Sequence, residues 1–434
     1  MGCDTVVALG RATVDGHTLF AHNCDRPPRE CQVLARLARR EYSPGEKVQT
    51  QGLELPQVRQ TATVLGSRPA GCWGFTHGVN EHAVAVAATS LRTKLAADGA
   101  GLFGTDLVRL ALERSENARQ AVDQLTGLIE RYGQAAETDG SSDNAFLIAD
   151  AQEAFAVETA GRYWVYQEVQ EARAVSNVSV IHQDWDRIAR GLAGHSIEQG
   201  WWPGDGSKLD FASVVASDPN GEGSGLRRWG RATMLVEQQN GHIDAAFLRR
   251  LLADHYDGMR CEVDPLNVMQ GPVPLCQHSG RATRAATAAS MVVDLGGACG
   301  WAPTAWCAFG PPCVSVFFPI FLDADLPQGF ADAGMDGVWW RVSRSQDHLQ
   351  QSPEQWALAR DTYGRLQARF DMEADEFTAE TAALAQRGDH GEVRRLATMF
   401  MQHNLEQFEE VAAGLDSTPS AHLASPVSSL HTVG

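Results

Sequence analysis

Met1-Gly2-Cys3-Asp4-Thr5-Val6-Val7-Ala8-Leu9 opens the chain: a cysteine two residues from the start feeds straight into an apolar, β-type run. If Met1 and Gly2 are removed, Cys3 becomes the first residue and carries both a thiol and a free α-amine. An α-amine has a pKa of about 7.7–8.0 and a thiol about 8.5, so the amine can accept the thiol proton near neutral pH. While Gly2 is attached, that nitrogen is an amide and cannot act as a base. The competing reading is a small apolar residue that begins an edge strand.

Residues 5–9 and 18–22 read as two strands joined around Asp15-Gly16, a good hairpin dipeptide. That pairing sets Asp25 opposite Val6, three residues from Cys3, or about 10 Å along an ideal strand, a gap that a bend would have to close. The second strand runs into Phe20-Ala21-His22-Asn23-Cys24-Asp25-Arg26-Pro27-Pro28, where two prolines end regular pairing. An aspartate at a strand end can hold a nearby ammonium, and equally can cap a turn. Cys24 is a rival nucleophile. By strand alternation it shares a face with His22 while Asp25 faces away, but the local signature of a papain-type Cys–His pair is absent.

Further along, Thr105–Gln124 has the periodicity of one helix, with a second through Leu125–Tyr132. Residues 83–88, 145–149, 154–158, 163–166 and 175–181 read as strands, the last holding Ser176-Asn177. Helices are expected from Leu226 and over 246–254, a strand over 314–318 closed by Pro319, and helical sequence from Pro353 to about Leu415. From Ser417 the chain is rich in Ser, Pro and Thr and reads as a disordered tail. Strands in clusters followed by helices, with no glycine-rich phosphate loop, indicate an α+β layered protein.

The 434 residues are 44% hydrophobic and 21% charged, enough for a sizeable core. A formal net charge of -18 argues against a nucleic-acid groove. No apolar run approaches the roughly 20 residues that span a membrane. The start lacks a secretory pattern, and Val6 stands where a myristoylation signal wants Ser or Thr. Nine scattered cysteines without a CxxC pair suggest a reduced, cytoplasmic protein and give a zinc site no support. No cofactor is expected. Trp73, Trp201, Trp202 and Trp306 are candidates for a pocket lining or for core. Arg281 and Arg284, near His278, could fork onto a substrate carboxylate or lie in a solvated loop.

Cys3-Asp4-Thr5 with Asn23-Cys24-Asp25-Arg26-Pro27 resembles the opening of the secernins and the related cysteine dipeptidases of peptidase family C69. The resemblance continues through Trp73-Gly74, Gly78-Val79-Asn80-Glu81-His82, the run from Asp106 to Arg114, Glu158-Thr159-Ala160-Gly161-Arg162, Ser176-Asn177 and Ser290-Met291-Val292. It is more distant to penicillin V acylase and bile salt hydrolase. It implies an N-terminal nucleophile hydrolase fold, a four-layer αββα sandwich over residues 3–350, with a helical region over 351–415 and a tail over 416–434.

The resemblance also implies roles. Cys3 would be the nucleophile once exposed, Asp25 the carboxylate orienting its amine, and Asn177 a donor to the oxyanion. His22, Arg26, Asn80 and Trp73 would lie on the substrate side, with no metal. The implied activity is hydrolysis of small amides, dipeptides or N-acyl amino acids, through a Cys3 thioester. Acyl transfer at the same site and a non-enzymatic, secernin-type regulatory role are the alternatives. The partner would be the small-molecule amide or dipeptide, without nucleic acid or membrane, and with homo-oligomerisation left open. This chain departs from secernins in Cys24 for serine, in Ala88-Thr89 for Asn-Glu, and in His22 for lysine. A histidine supports a thiolate only when protonated, so activity is expected to depend on pH through His22.

Overall fold

The computed structural model describes residues 2–95, 99–136, 140–217, 223–267, 272–279, 285–296, 303–349 and 352–416. Two antiparallel sheets form its centre. One has six strands in the order Ala172–Val175, Cys3–Ala8, Leu19–Arg26, Ala286–Asp294, Thr304–Phe309 and Phe318–Phe321. The other has eight, from Arg187–Ile188 through Tyr163–Glu168, Ala154–Ala160, Asp143–Ala149, Ala85–Leu91, His77–Asn80 and Val64–Pro69 to Gln32–Leu37.

Period-two alternation sorts side chains between layers. In Asp143–Ala149, Ala145, Leu147 and Ala149 face the core between the sheets, while Phe146 and Ile148 face the helices Gly104–Arg114 and Ala118–Tyr132. In the six-stranded sheet, Val7, Phe20, Met291 and Val293 face inward; Val6, Ala8, Ala21 and Val292 meet the helices Ser224–Gln238 and Ala245–Leu252. Helices therefore cover the outer face of each sheet, which is the αββα layering implied by the resemblance. The long helices Pro353–Gln386 and His390–Asp416 join the inter-sheet core at its edge strand, where the Phe318 ring meets Phe370 and Phe408. Residues 417–434, most of the expected tail, lie outside the described residues, as do Arg281 and Arg284.

Several local expectations are corrected. The connection between the first two strands is not a two-residue turn at Asp15-Gly16. Register is Cys3 opposite Cys24 and Ala8 opposite Leu19. The intervening loop is closed by Thr13, whose hydroxyl donates to the carbonyls of Gly10 and His17. That shift moves Asp25 from opposite Val6 to opposite Gly2, whose carbonyl accepts the Asp25 N–H at 2.8 Å. No bend is needed.

The helix expected over 105–124 breaks at Ser115-Glu116-Asn117. Asn117 caps the second helix by accepting from the Gln120 N–H, a local bond that competes with helix continuation. The strand expected over 175–181 ends at Val175, which leaves Asn177 just past a strand end. The strand expected over 314–318 is a 3-10 turn at Pro312–Val314; the strand is Phe318–Phe321, with Pro319 inside it, as an edge position allows.

Candidate active site

Cys3 begins the second strand from one edge of the six-stranded sheet and is buried. Its sulfur, the Cys24 sulfur and a His22 ring nitrogen lie within 4.8 Å of one another on the inward face. Two thiols side by side cannot both ionise cheaply. The hydrogen bond shared with Cys24, then burial, hold the Cys3 thiol well above its ordinary range. The opposing influences are the Asp25 backbone N–H and then Arg26, which is itself held above its ordinary value, against its burial, by Cys24 and Glu30.

The backbone of Cys3 is gripped from the other side. Its N–H donates to Asn177 Oδ1 at 2.9 Å. Arg228 Nη2 donates to the same oxygen at 2.6 Å, and Asn177 Nδ2 donates to the Ser90 carbonyl at 2.9 Å. These three bonds fix which way the amide points. Arg228 rises from the helix Ser224–Gln238 and is buried; it also bonds Asp4 through Nε, at 2.9 Å to Oδ2. Asp4 Oδ1 accepts from the Ser176 hydroxyl at 2.6 Å.

Asp25 is equally ordered. Thr287 Oγ1 donates to Oδ1 at 2.7 Å and Gln277 Nε2 to Oδ2 at 2.5 Å. A register shift between Thr287 and Ala289 interrupts pairing beside Asp25, a local irregularity of the kind found near active sites. Burial, then the nearby Asp4, push the Asp25 carboxyl well up. Gly2 occupies the remaining space. A Cβ there would lie 2.9 Å from Asp25 Oδ2, 2.8 Å from Gln277 Nε2 and 3.2 Å from Arg228 Nη2. The chain segment preceding Cys3 thus lies against the carboxylate expected to orient a freed amine.

The structure brings Cys3, Asp25 and Asn177 together, with His22 and Arg26 near the sulfur. It separates Asn80 from them: the Asn80 amide donates to the Leu112 and Ser115 carbonyls and accepts from the His82 and Val84 N–H groups. Those four bonds lock a turn to the end of a helix, so the expectation that Asn80 binds substrate is corrected. Trp73 packs with the helix-side core, with the Arg109 guanidinium 3.9 Å above its ring. Trp201, Trp202 and Trp306 are likewise partly buried against the core. Burial, then the neighbouring His77, push His22 well below its ordinary pKa. It is a neutral ring bonded to Thr5 Oγ1 at 2.8 Å, not a cation held ready for the thiolate.

Arg228, Gln277 and Thr287 were not legible in the sequence. Arg228 sits in a basic stretch expected only to be helical, and Gln277 and Thr287 lie in polar sequence without a motif.

The stretch that holds Cys3, His22, Cys24, Asp25 and Asn177 has a family match. Residues 2–183 match the model of Peptidase family C69. The C69 match ends before Arg228, Gln277 and Thr287, which complete the site from outside it. Among curated proteins, the chain is 29% identical over 177 residues to a probable dipeptidase B of Lactococcus lactis, covering 37% of this chain and 35% of that protein. It is 28% identical over 197 residues to a probable dipeptidase A of Streptococcus pyogenes, covering 41% and 40% respectively. The chain thus spans well under half the length of these relatives. Among solved structures, penicillin V acylase from Agrobacterium tumefaciens aligns with a TM-score of 0.42 at 12% identity, over 74% of this chain and 86% of that one. Conjugated bile acid hydrolase from Clostridium perfringens aligns with a TM-score of 0.40 at 14% identity, over 70% and 89%.

Proposed function

We propose that this protein is a cysteine-type N-terminal nucleophile hydrolase that cleaves small amide bonds, dipeptides or N-acyl amino acids, after loss of Met1 and Gly2. The observation that carries the reading is the grip on the Cys3 nitrogen. Asn177 Oδ1 accepts its N–H at 2.9 Å, and the Asp25 carboxyl flanks the Gly2 backbone beside it. Cleavage after Gly2 would turn that amide into an amine already bonded on one side, with a carboxylate facing the space Gly2 leaves. The match to a peptidase family and the likeness to probable dipeptidases support the same class of bond.

In the proposed cycle, Cys3 Sγ attacks the substrate carbonyl while the α-amine takes the thiol proton. The amine returns that proton to the leaving nitrogen, and water then hydrolyses the thioester. Arg26 is the charged group that favours the thiolate, because His22 is neutral. One amide hydrogen of Asn177 is committed to Ser90; the second would donate to a developing oxyanion, where a fixed donor is worth about 2.7–4 kcal/mol. With Gly2 attached the nitrogen is no base and the thiol stays protonated, so the uncut chain is inactive. A protein that permanently retains Gly2 would fit the regulatory alternative.

The test compares three proteins by intact mass and by dipeptide and N-acyl amino acid hydrolysis: the native start, a chain encoded to begin at Cys3 after initiator removal, and Cys3→Ala. Activity is expected only where mass shows a Cys3 start. Hydrolysis by Cys3→Ala, or by chains that keep Gly2, would overturn the reading.

A further inference from the structure

A second cluster includes both sequence neighbours of Gln277. His255, Cys276, His278 and Cys313 come from three separate segments, and one ligand atom from each lies within 4.8 Å of all the others. His278 Nε2 is 3.0 Å from His255 Nε2, 3.5 Å from Cys276 Sγ and 3.3 Å from Cys313 Sγ. A ring nitrogen offers one proton or one lone pair, so His278 Nε2 cannot satisfy three partners as hydrogen bonds. The two sulfur separations match a different arrangement, and the nitrogen–nitrogen separation is about 0.3 Å short of it. With zinc–nitrogen bonds of about 2.0–2.1 Å and zinc–sulfur bonds of about 2.3 Å, the edges of a tetrahedron are about 3.3–3.8 Å.

The surroundings agree. His255, Cys276 and His278 are buried, Cys313 is partly so, and the Trp356 ring closes edge-on over His278 at 5.4 Å. The segments are pinned independently of any ion. Asn23 Nδ2 donates to the carbonyls of both Leu252 and Leu275, and the Cys276 N–H donates to the Asp254 carbonyl at 3.2 Å. Asp254 is in turn held by a two-pronged bond from Arg231. Binding a dication would release one proton from each thiol, and two thiolates plus two neutral imidazoles then cancel its charge, which a buried site requires.

We propose that His255, Cys276, His278 and Cys313 form a closed tetrahedral site for a zinc ion, one that fixes the Cys276–His278 segment and thereby holds Gln277 against Asp25. Two nitrogens and two sulfurs select zinc over hard cations, and four protein ligands leave no open position for chemistry. Gln277 lies between two ligands, and its amide donates to Asp25 Oδ2. The ion is therefore a positioning element for the candidate carboxylate. The CxxC criterion missed it because the ligands are single residues from distant segments, with only Cys276 and His278 near one another in sequence.

The test needs no activity assay, so its outcome is separable from that of the hydrolase reading. The full chain, purified without chelator from zinc-replete cells, is expected to carry one zinc per chain. Exchange with cobalt(II) should give the visible spectrum of a tetrahedral cobalt–thiolate centre. Cys313→Ser, at the least buried ligand, should lose zinc and weaken the thiolate band, whereas Gln277→Ala should keep the metal. Substoichiometric zinc together with no cobalt–thiolate spectrum would overturn the proposal. So would an intact mass showing a Cys276–Cys313 disulfide in protein purified under reducing conditions.

Discussion

Arg228 Nη2 and the Cys3 N–H converge on one oxygen, Asn177 Oδ1, at 2.6 and 2.9 Å. Through it a helix on the outer face of the sheet is tied to the first residue of the candidate enzyme. The oxygen is saturated, so the Asn177 amide cannot turn over without losing both bonds.

Asn177→Ala removes the acceptor for the Cys3 nitrogen and the proposed donor to the oxyanion. In the protein starting at Cys3, kcat is expected to fall about 100- to 1000-fold with little change in KM. An undiminished kcat would show that Asn177 has no part in the reaction.

Arg228→Met leaves Asp4 buried without its cation, an imbalance that costs about 3–5 kcal/mol. Adding Asp4→Asn removes the stranded charge, so the double variant is expected to recover part of that loss in urea unfolding. Equal stability of the single and double variants would refute the coupling.

His22 is buried and its pKa is depressed, so it stays neutral across the working range. The sequence-based expectation of pH-dependent activity through this residue is therefore replaced by its opposite. His22→Gln should leave the shape of the pH–rate profile between about pH 5 and 8 unchanged, whatever it does to the absolute rate. Loss of an inflection in that range would contradict the assignment.

Glu158 accepts from the Val180 and Ile181 N–H groups, yet burial raises its pKa to about 7. Between its unfolded pKa and about 7, the folded chain holds a proton that the unfolded chain releases. Its contribution is therefore full at low pH and is lost as pH rises through 7, by up to about 3 kcal/mol. His77, pushed down to about 3 by burial, has the opposite sign: its stability grows as pH rises toward the ordinary histidine value. The change in Tm from about pH 5 to 8 should be more positive in Glu158→Gln than in the parent, and an identical change would refute the assignment.

Gly2→Ala would press a methyl against Asp25 and Gln277. An uncut chain carrying it should lose about 1–3 kcal/mol, as overpacked sites do. The same residue is absent from a Cys3-start protein, so only the uncut form should change. Equal stability of the uncut parent and the uncut Gly2→Ala variant would show that this space is open.

By itself the sequence determined which face each strand residue takes. Alternation in Phe20–Asp25 put His22 and Cys24 together and Asp25 on the opposite side, and the periodic helices and clustered strands gave an α+β layering. These are consequences of local geometry, the two-residue repeat of a strand and the 3.6-residue repeat of a helix. Through its resemblance to a family it also pointed to Cys3, Asp25 and Asn177, which the fold brings together. Tertiary structure decided the rest. Register depended on how the 9–18 loop closes, which rests on hydrogen bonds of Thr13 and not on a turn dipeptide. The partners that hold Asp4, Asp25 and Asn177, namely Arg228, Gln277 and Thr287, lie more than two hundred residues from Cys3, on segments without a motif, and are enclosed only when helix packs on sheet. Burial also reversed the expected role of His22. Desolvation depends on what surrounds a side chain in space, and no local pattern records that.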